Sequence, residues 1–143
     1  MKIIHAVFHA VFAAALLSVT AAQAADTAIL DRHVANMKSG NIPGIVADYA
    51  ANAVVVTPAG MVSPSGVFVG KDVRKLFDVL ASPQNVPGNK TMQTAYEDLG
   101  QGATKMTWVQ FKGTPKELSG YDVFVVRGGK IAYQTVIVNP AGK

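Results

Sequence analysis

The sequence predicts an α+β fold, in which three N-terminal helices pack on one face of a strongly curved, mostly antiparallel sheet. Apolar residues recur at helical spacing in three segments of the first half of the chain. The pattern then changes to four strand-like runs separated by glycine-containing turns, at residues 91–99, 103–112, 118–127 and 130–138. Helices followed by a meander of strands are typical of the α+β class, in which the helices cover one face of the sheet.

The N-terminus has the pattern of a signal peptide. Lys2 gives a positive start, residues 6–19 form an apolar run, and Ala22-Gln23-Ala24 provides a small-x-small cleavage site. The run is shorter than a membrane-spanning helix requires, so no stable membrane anchor is expected. We therefore expect residues 1–24 to be a signal peptide, removed near Ala24, and residues 25–143 to form a single exported domain, periplasmic or secreted.

Composition excludes several classes of function. The 143 residues carry a formal net charge of +4 and include no cysteine, so disulfides, thiol nucleophiles and thiolate metal sites are absent. Basic residues cluster only between Lys71 and Lys75, beside Asp72 and Asp78, which is typical of a solvated helix face. The sequence has no phosphate-binding or dinucleotide motif and no metal-ligand spacing. No cofactor, no metal and no nucleic-acid partner is expected.

Three helices are predicted in order. The first begins at Asp26 or Thr27, which can cap it, and ends at Gly40. The second covers residues 42–49 and ends at Tyr49, with a proline tolerated in its first turn. The third covers residues 71–80 and ends before a Ser-Pro pair.

Two short strands are predicted between the second and third helices. Residues 53–57 form a buried run closed by Pro58 and Gly60, and residues 67–69 could pair with it. In the later strand at 103–112, two faces are equally apolar, and the pattern does not decide between them. One face carries Met106, Trp108 and Gln110, and the other carries Thr107, Val109 and Phe111.

These segments resemble the nuclear transport factor 2-like (NTF2-like) superfamily, which includes the ketosteroid isomerases and the SnoaL-type polyketide cyclases. The resemblance spans residues 27–138. It rests on Gly40-Asn41-Ile42, on residues 45–50 and 52–54, on Pro58, Gly60 and Gly70, and on the hairpin at 122–131 followed by Gln134. It implies a cone-shaped fold that encloses an apolar pocket, and a homodimer formed through the outer surface of the sheet.

The resemblance also implies positions for catalytic residues. His33 stands where the steroid isomerases have a tyrosine, Thr57 stands at the general base, and Asp122 matches a late acid. Because a threonine hydroxyl cannot take up a proton near neutral pH, ketosteroid isomerase activity is not expected. Whether the protein is an enzyme at all stays open.

The function expected from these observations is the binding of a small apolar or amphiphilic organic molecule. One alternative is a lyase-, isomerase- or cyclase-like enzyme that uses His33 and Asp122, and another is a dimeric interaction module with a vestigial pocket. Outside a catalytic role, His33 is expected to be a partly exposed helix residue, and Asp122 faces either water or the pocket. The expected pocket lining is Tyr49, Val55, Thr57, Phe77, Met106, Trp108, Phe124, Gln134 and Val136.

Overall fold

A computed structural model describes residues 27–140 of the chain. The expected signal peptide, residues 1–24, lies outside the described residues. The first helix, α1, covers residues 27–39 and ends where Gly40 adopts a φ of +68°, the left-handed conformation that closes many helices. Its apolar face is buried, as the helical spacing predicts, through Ile29, Leu30, Val34 and Met37.

The second helix, α2 (Ile42–Ala47), is shorter than predicted. Asn41 caps it, because its side-chain oxygen accepts a hydrogen bond from the Gly44 N–H at 3.2 Å. The helix ends before Tyr49, which is the first residue of strand β1 (Tyr49–Val56) and pairs with Ile131. Pairing with a distant strand therefore overrides the helical spacing at Tyr49.

The next segment contains one element that the sequence pattern misses. Strand β2 (Val67–Val69) leads through a 3₁₀ turn (Gly70–Asp72) into helix α3 (Val73–Leu80), close to the predicted bounds. A further short helix, α4 (Val86–Lys90), follows. Its Pro-Gly pair resembles a loop in sequence, but a proline in the first turn of a helix costs no hydrogen bond.

The four late strands form as predicted and complete a six-stranded sheet in the order β2-β1-β6-β5-β4-β3. Only the β1–β6 pair is parallel. Gly128 and Gly129 join the last two strands with φ values of +56° and +71°, as a type I′ hairpin turn requires. The fold is thus α+β with a curved, mostly antiparallel sheet, as predicted. The late strands are β3 (Gln93–Gly100), β4 (Ala103–Gln110), β5 (Leu118–Arg127) and β6 (Lys130–Val138).

The core lies between the inner face of the sheet and helices α1 and α3. Side chains alternate between the two faces along the late strands. On β4 the buried residues are Thr104, Met106 and Trp108, so this face of the strand is the inner one. Within residues 27–140, no helix combines the length and apolar character needed to cross a membrane.

Candidate ligand-binding site

A cavity of about 180 Å³ lies between the helices and the inner face of strands β4, β5 and β6. Helix α1 contributes His33, Val34 and Met37 to its wall, and α3 contributes Phe77 and Leu80. The sheet side of the wall consists of Met106, Trp108, Gln110, Leu118, Asp122, Gln134, Val136 and Val138. Most of these groups are apolar, so the few polar side chains among them define where a polar part of a ligand can be bound.

Asp122 is the centre of a buried hydrogen-bond network. The Trp108 indole Nε1–H donates to Asp122 Oδ1 at 2.9 Å, and the Gln134 amide Nε2 donates to Asp122 Oδ2 at 2.7 Å. The Tyr49 hydroxyl in turn donates to Gln134 Oε1. Because each side chain comes from a different strand, from β1, β4, β5 and β6, the network forms only once the sheet is assembled.

Strand register explains why these groups meet. Trp108 lies opposite Gly120, two residues before Asp122, and Gln134 lies opposite Phe124, two residues after it. Trp108 and Gln134 are therefore the diagonal neighbours of Asp122 on the inner face of the sheet, within reach of long side chains.

Burial strongly affects the ionisation of Asp122. The side chain is 6% exposed, and the loss of water raises its pKa from 3.8 to about 7, although the hydrogen bonds from Trp108 and Gln134 act in the opposite direction. Near neutral pH, Asp122 is therefore present both as a neutral carboxyl group and as a carboxylate. The carboxyl group can donate a hydrogen bond, whereas the carboxylate only accepts them.

His33 is buried, which corrects the expectation of a partly exposed helix residue. It is 3% exposed, and the rings of Tyr49, Phe77 and Phe124 surround it edge-on with centroids 5.5–5.8 Å away. Burial lowers its pKa from 6.5 to about 4, so the ring is neutral at physiological pH. The reason for the burial is that α1 turns this side of the helix toward the core.

His33 and Asp122 line the same cavity, but no hydrogen bond joins them among the described residues. The Nδ1 atom of His33 is buried and has no hydrogen-bond partner among the described residues. Both Asp122 oxygens are already bonded to Trp108 and Gln134. Within residues 27–140, no carboxylate is therefore hydrogen-bonded to Nδ1 of the imidazole, the contact that would orient the ring as a general base.

Gly120 allows the Trp108 indole to lie close to strand β5. A Cβ atom at Gly120 would be 2.5 Å from Trp108 Cζ2 and 2.1 Å from the Ile137 carbonyl oxygen, both far inside van der Waals contact. Gly120 was not among the residues that the sequence assigned to the site. The available signal was its position inside a strand pattern, where an isolated glycine often marks a close approach.

Five of the nine residues expected to line the pocket do so: Phe77, Met106, Trp108, Gln134 and Val136. The other four lie behind the wall of the cavity. Val55 and Phe124 are fully buried in the core, and Tyr49 reaches the site only through Gln134. The Thr57 hydroxyl lies 3.3 Å from the Pro58 and Gly66 carbonyl oxygens. Side chains alternate between the two faces of each strand as expected. Helices α1 and α3 fill the space over the inner face of β1, however, so its side chains do not line the cavity.

Three methionines of the lining were not assigned to the site from sequence. Met37 follows His33 by four residues on α1, so the two lie on the same side of the helix, and this spacing was the available signal. Met61 lies in a loop, where no periodicity indicates which way a side chain points. Met92 lies within the predicted run 91–99, but β3 begins only at Gln93, so the alternation of the strand does not extend to it.

No protein-family model matches the sequence, and no curated protein matches it. Several solved structures resemble this one. A candidate isomerase from Bacillus subtilis is 17% identical with a TM-score of 0.65 over 83% of this chain and 89% of that one. An NTF-2 like protein of unknown function from Burkholderia xenovorans LB400 is 14% identical with a TM-score of 0.64, over 85% and 88%. TerC, co-crystallised with polyporic acid, is 19% identical with a TM-score of 0.60, over 80% and 92%.

These likenesses concern the fold. The chain has the NTF2-like fold, which confirms the resemblance seen in its sequence. Because this fold carries many unrelated functions, the function has to be argued from the site.

Proposed function

We propose that this protein binds a small amphiphilic organic molecule in the cavity, with the polar group of the molecule at Asp122. The observation that carries the proposal is a buried carboxyl group in a wall that is otherwise mostly apolar. The apolar wall favours the transfer of a ring or short chain out of water. Asp122 in its two protonation states matches a hydroxyl or a carbonyl group.

The size of the cavity limits the ligand. An apolar cavity of roughly 150 Å³ binds benzene, whereas drug-sized molecules occupy pockets of about 300 Å³ or more. A cavity of about 180 Å³ therefore suits one ring with one or two small substituents. The co-crystallisation of TerC with polyporic acid supports the use of this fold as a small-molecule site.

Trp108 provides a direct test, because it is the one tryptophan of the sequence and lies in the wall of the cavity. Its fluorescence is measured during titration with cyclohexanol and, separately, with cyclohexane, neither of which absorbs in the relevant range. We expect a saturable change with cyclohexanol. We expect cyclohexane to bind about two- to tenfold more weakly, the worth of one hydrogen bond.

Two variants control for non-specific effects. Val136→Phe adds a ring inside the cavity and should abolish the response, whereas Val79→Phe adds the same ring on the exposed side of α3 and should leave it unchanged. Absence of a saturable response, or a normal response in Val136→Phe, would contradict the proposal. With an intact dimer, that outcome favours the alternative of an interaction module.

One observation favours a second candidate function, an enzyme that transfers a proton. The pKa of Asp122, about 7, suits a general base or acid near neutral pH. As a carboxylate, Asp122 would take a proton from the carbon next to a ketone, leaving an enolate, and would then return the proton. Neutral His33 lies in the same wall and has no hydrogen-bond partner at Nδ1 among the described residues.

Exchange of the α-protons of cyclohexanone in D₂O tests this candidate. The wild-type protein should accelerate the exchange above the buffer rate, and Asp122→Asn should remove the acceleration. An exchange rate equal to that of buffer would eliminate the enzyme and leave the binding function intact.

Export is also proposed, on the signal-peptide pattern of residues 1–24. The mass of the protein recovered from the periplasm tests it, since a mature chain beginning at Ala25 is expected. A chain that keeps residues 1–24 would contradict export by cleavage.

A further inference from the structure

Methionine side chains surround the cavity. All four methionines within residues 27–140 line it, and the fifth methionine of the sequence is Met1. Each comes from a different part of the fold: Met37 from α1, Met61 from the β1–β2 loop, Met92 from the residue before β3, and Met106 from β4. Met37, Met92 and Met106 are at most 9% exposed, whereas Met61 is 39% exposed.

A cavity wall that only has to exclude water does not require methionine. Leucine has a similar volume and loses less conformational freedom when it is ordered, so it would form an apolar wall at a lower entropic cost. What methionine adds is a polarisable thioether, which makes favourable contacts with aromatic rings. A saturated ligand gains nothing from this property, but a ligand with a π-system does.

We propose that the cavity selects an aromatic ring over a saturated ring of the same size, and that Met37, Met92 and Met106 are the residues that determine this specificity. The ligand class is thus a single aromatic ring that bears one hydroxyl or carbonyl group, a phenol being the simplest case. This inference rests on the proposed binding function.

The strand register supports the arrangement. Met106 lies directly opposite Asp122 in the β4–β5 ladder, so a molecule whose polar group reaches Asp122 has its ring next to the Met106 side chain. Met37 is one helical turn from His33 on the opposite wall, and Met92 lies near the start of β3. The thioethers therefore approach a bound ring from the helix side and from the sheet side.

Phenol and cyclohexanol form a pair of probes with the same carbon skeleton and one hydroxyl group. Because the phenol hydroxyl is also the stronger hydrogen-bond donor, leucine variants are needed to isolate the contribution of the thioethers. The protein is labelled with ¹³C at the methionine methyl groups, and both dissociation constants are measured from chemical-shift titrations. We expect phenol to bind about two- to tenfold more tightly for each thioether contact. The methyl signals of Met37, Met92 and Met106 should shift most strongly, because a ring current acts on them.

Variants identify the cause of the preference. The triple variant Met37→Leu, Met92→Leu, Met106→Leu keeps the apolar volume and should lose most of the preference for phenol, as followed by Trp108 fluorescence excited at the red edge of the indole band, beyond the absorption of phenol. If the triple variant does not fold, Met106→Leu alone should reduce the preference. Leu76→Met is the control, because it adds a thioether in the core outside the cavity and should change nothing.

The outcomes separate this inference from the proposed function. Equal binding of the two probes to the wild type, or a preference that persists in the triple variant, would overturn the inference while the binding function stands. Failure of both probes to bind would overturn both. Ag⁺ is titrated in parallel, because thioethers also bind soft cations. Saturation of the three methyl signals by Ag⁺, with no preference for phenol, would assign the lining to a metal ion instead.

Discussion

Asp122 and His33 show how burial acts on two ionisable residues in one cavity. Removal from water favours the neutral form of each, so the pKa of Asp122 rises to about 7 and that of His33 falls to about 4. Between about pH 4 and pH 6.5 their effects on stability oppose each other, since folding favours a bound proton on Asp122 and a lost proton on His33. Each single variant should therefore show a pH dependence of the free energy of unfolding that largely cancels in the wild type.

Asp122→Asn should become more stable relative to wild type as the pH rises. The folded pKa of Asp122, about 7, lies above the usual aspartate value of 3.8, so its favourable contribution is complete below pH 3.8 and is lost as the pH rises through 7. Urea unfolding at about pH 4 and about pH 7.5 should show a relative gain of about 2–4 kcal/mol in the free energy of unfolding. If the difference in the free energy of unfolding between the variant and the wild type does not change with pH, the burial of this carboxyl group is contradicted.

His33→Leu should show the opposite trend. The folded pKa of His33, about 4, lies below the usual histidine value of 6.5, so its contribution is complete above pH 6.5 and is lost as the pH falls through 4. The variant should gain about 2–3 kcal/mol relative to wild type between about pH 7 and about pH 4. Urea unfolding at these two pH values measures the gain, and a difference in stability that does not change between them would show that the histidine takes up its proton as readily in the folded protein as in the unfolded chain.

At the scale of single elements, strands β4 and β5 position the polar end of the cavity. Trp108 reaches Asp122 because the residue opposite it, Gly120, has no side chain. The β1 strand contributes differently, since Tyr49 contacts the site only through Gln134. Strands β4, β5 and β6 thus carry Trp108, Asp122 and Gln134, and β1, which pairs with β6, contacts this group through Tyr49.

Gly120→Ala should displace the Trp108 indole. The added methyl group would overlap the indole and the Ile137 carbonyl oxygen, so we expect a loss of about 1–3 kcal/mol in stability. The Trp108 emission should also shift to the red, because the displaced indole, buried in the wild type, becomes more exposed to water. Thr107→Ala, on the outer side of the same strand as Trp108, is the control and should leave the emission unchanged. Unchanged emission in Gly120→Ala would show that Gly120 does not position the indole.

At the scale of the whole molecule, the two faces of the sheet differ in their contacts. The inner face packs on helices and bounds the cavity, whereas the outer face presents exposed apolar side chains at Val67, Val69 and Ile137. We propose, on this apolar outer face, that two chains form the homodimer expected from the sequence resemblance, with the outer surface of the sheet as the interface.

Light scattering coupled to gel filtration should give the mass of two chains for the wild type. Ile137→Glu places a charge in the proposed interface and should shift the equilibrium to the monomer, while cyclohexanol binding is retained. Val79→Glu, at a similarly exposed position on α3, should remain dimeric. A monomeric wild type would contradict the proposal.

Local pattern was sufficient for much of the architecture. Glycine turns and alternating strands predicted the late meander, and the spacing of Ile29, Leu30, Val34 and Met37 predicted α1, because these features depend on neighbouring residues only. Asp122, Trp108 and Gln134 were also identified, although the face of β4 that carries Trp108 stayed undecided. A strand has two faces, and only packing determines which is inner.

Tertiary structure decided the rest. The burial of His33, the position of Thr57 and Phe124 behind the wall, and the convergence of four methionines from distant segments depend on how α1 and α3 cover the curved sheet. Periodicity reports the side of an element on which a residue lies, whereas a cavity arises where packed elements fail to meet. The position and size of that cavity are set by contacts between residues far apart in the chain. No local sequence pattern therefore contains them.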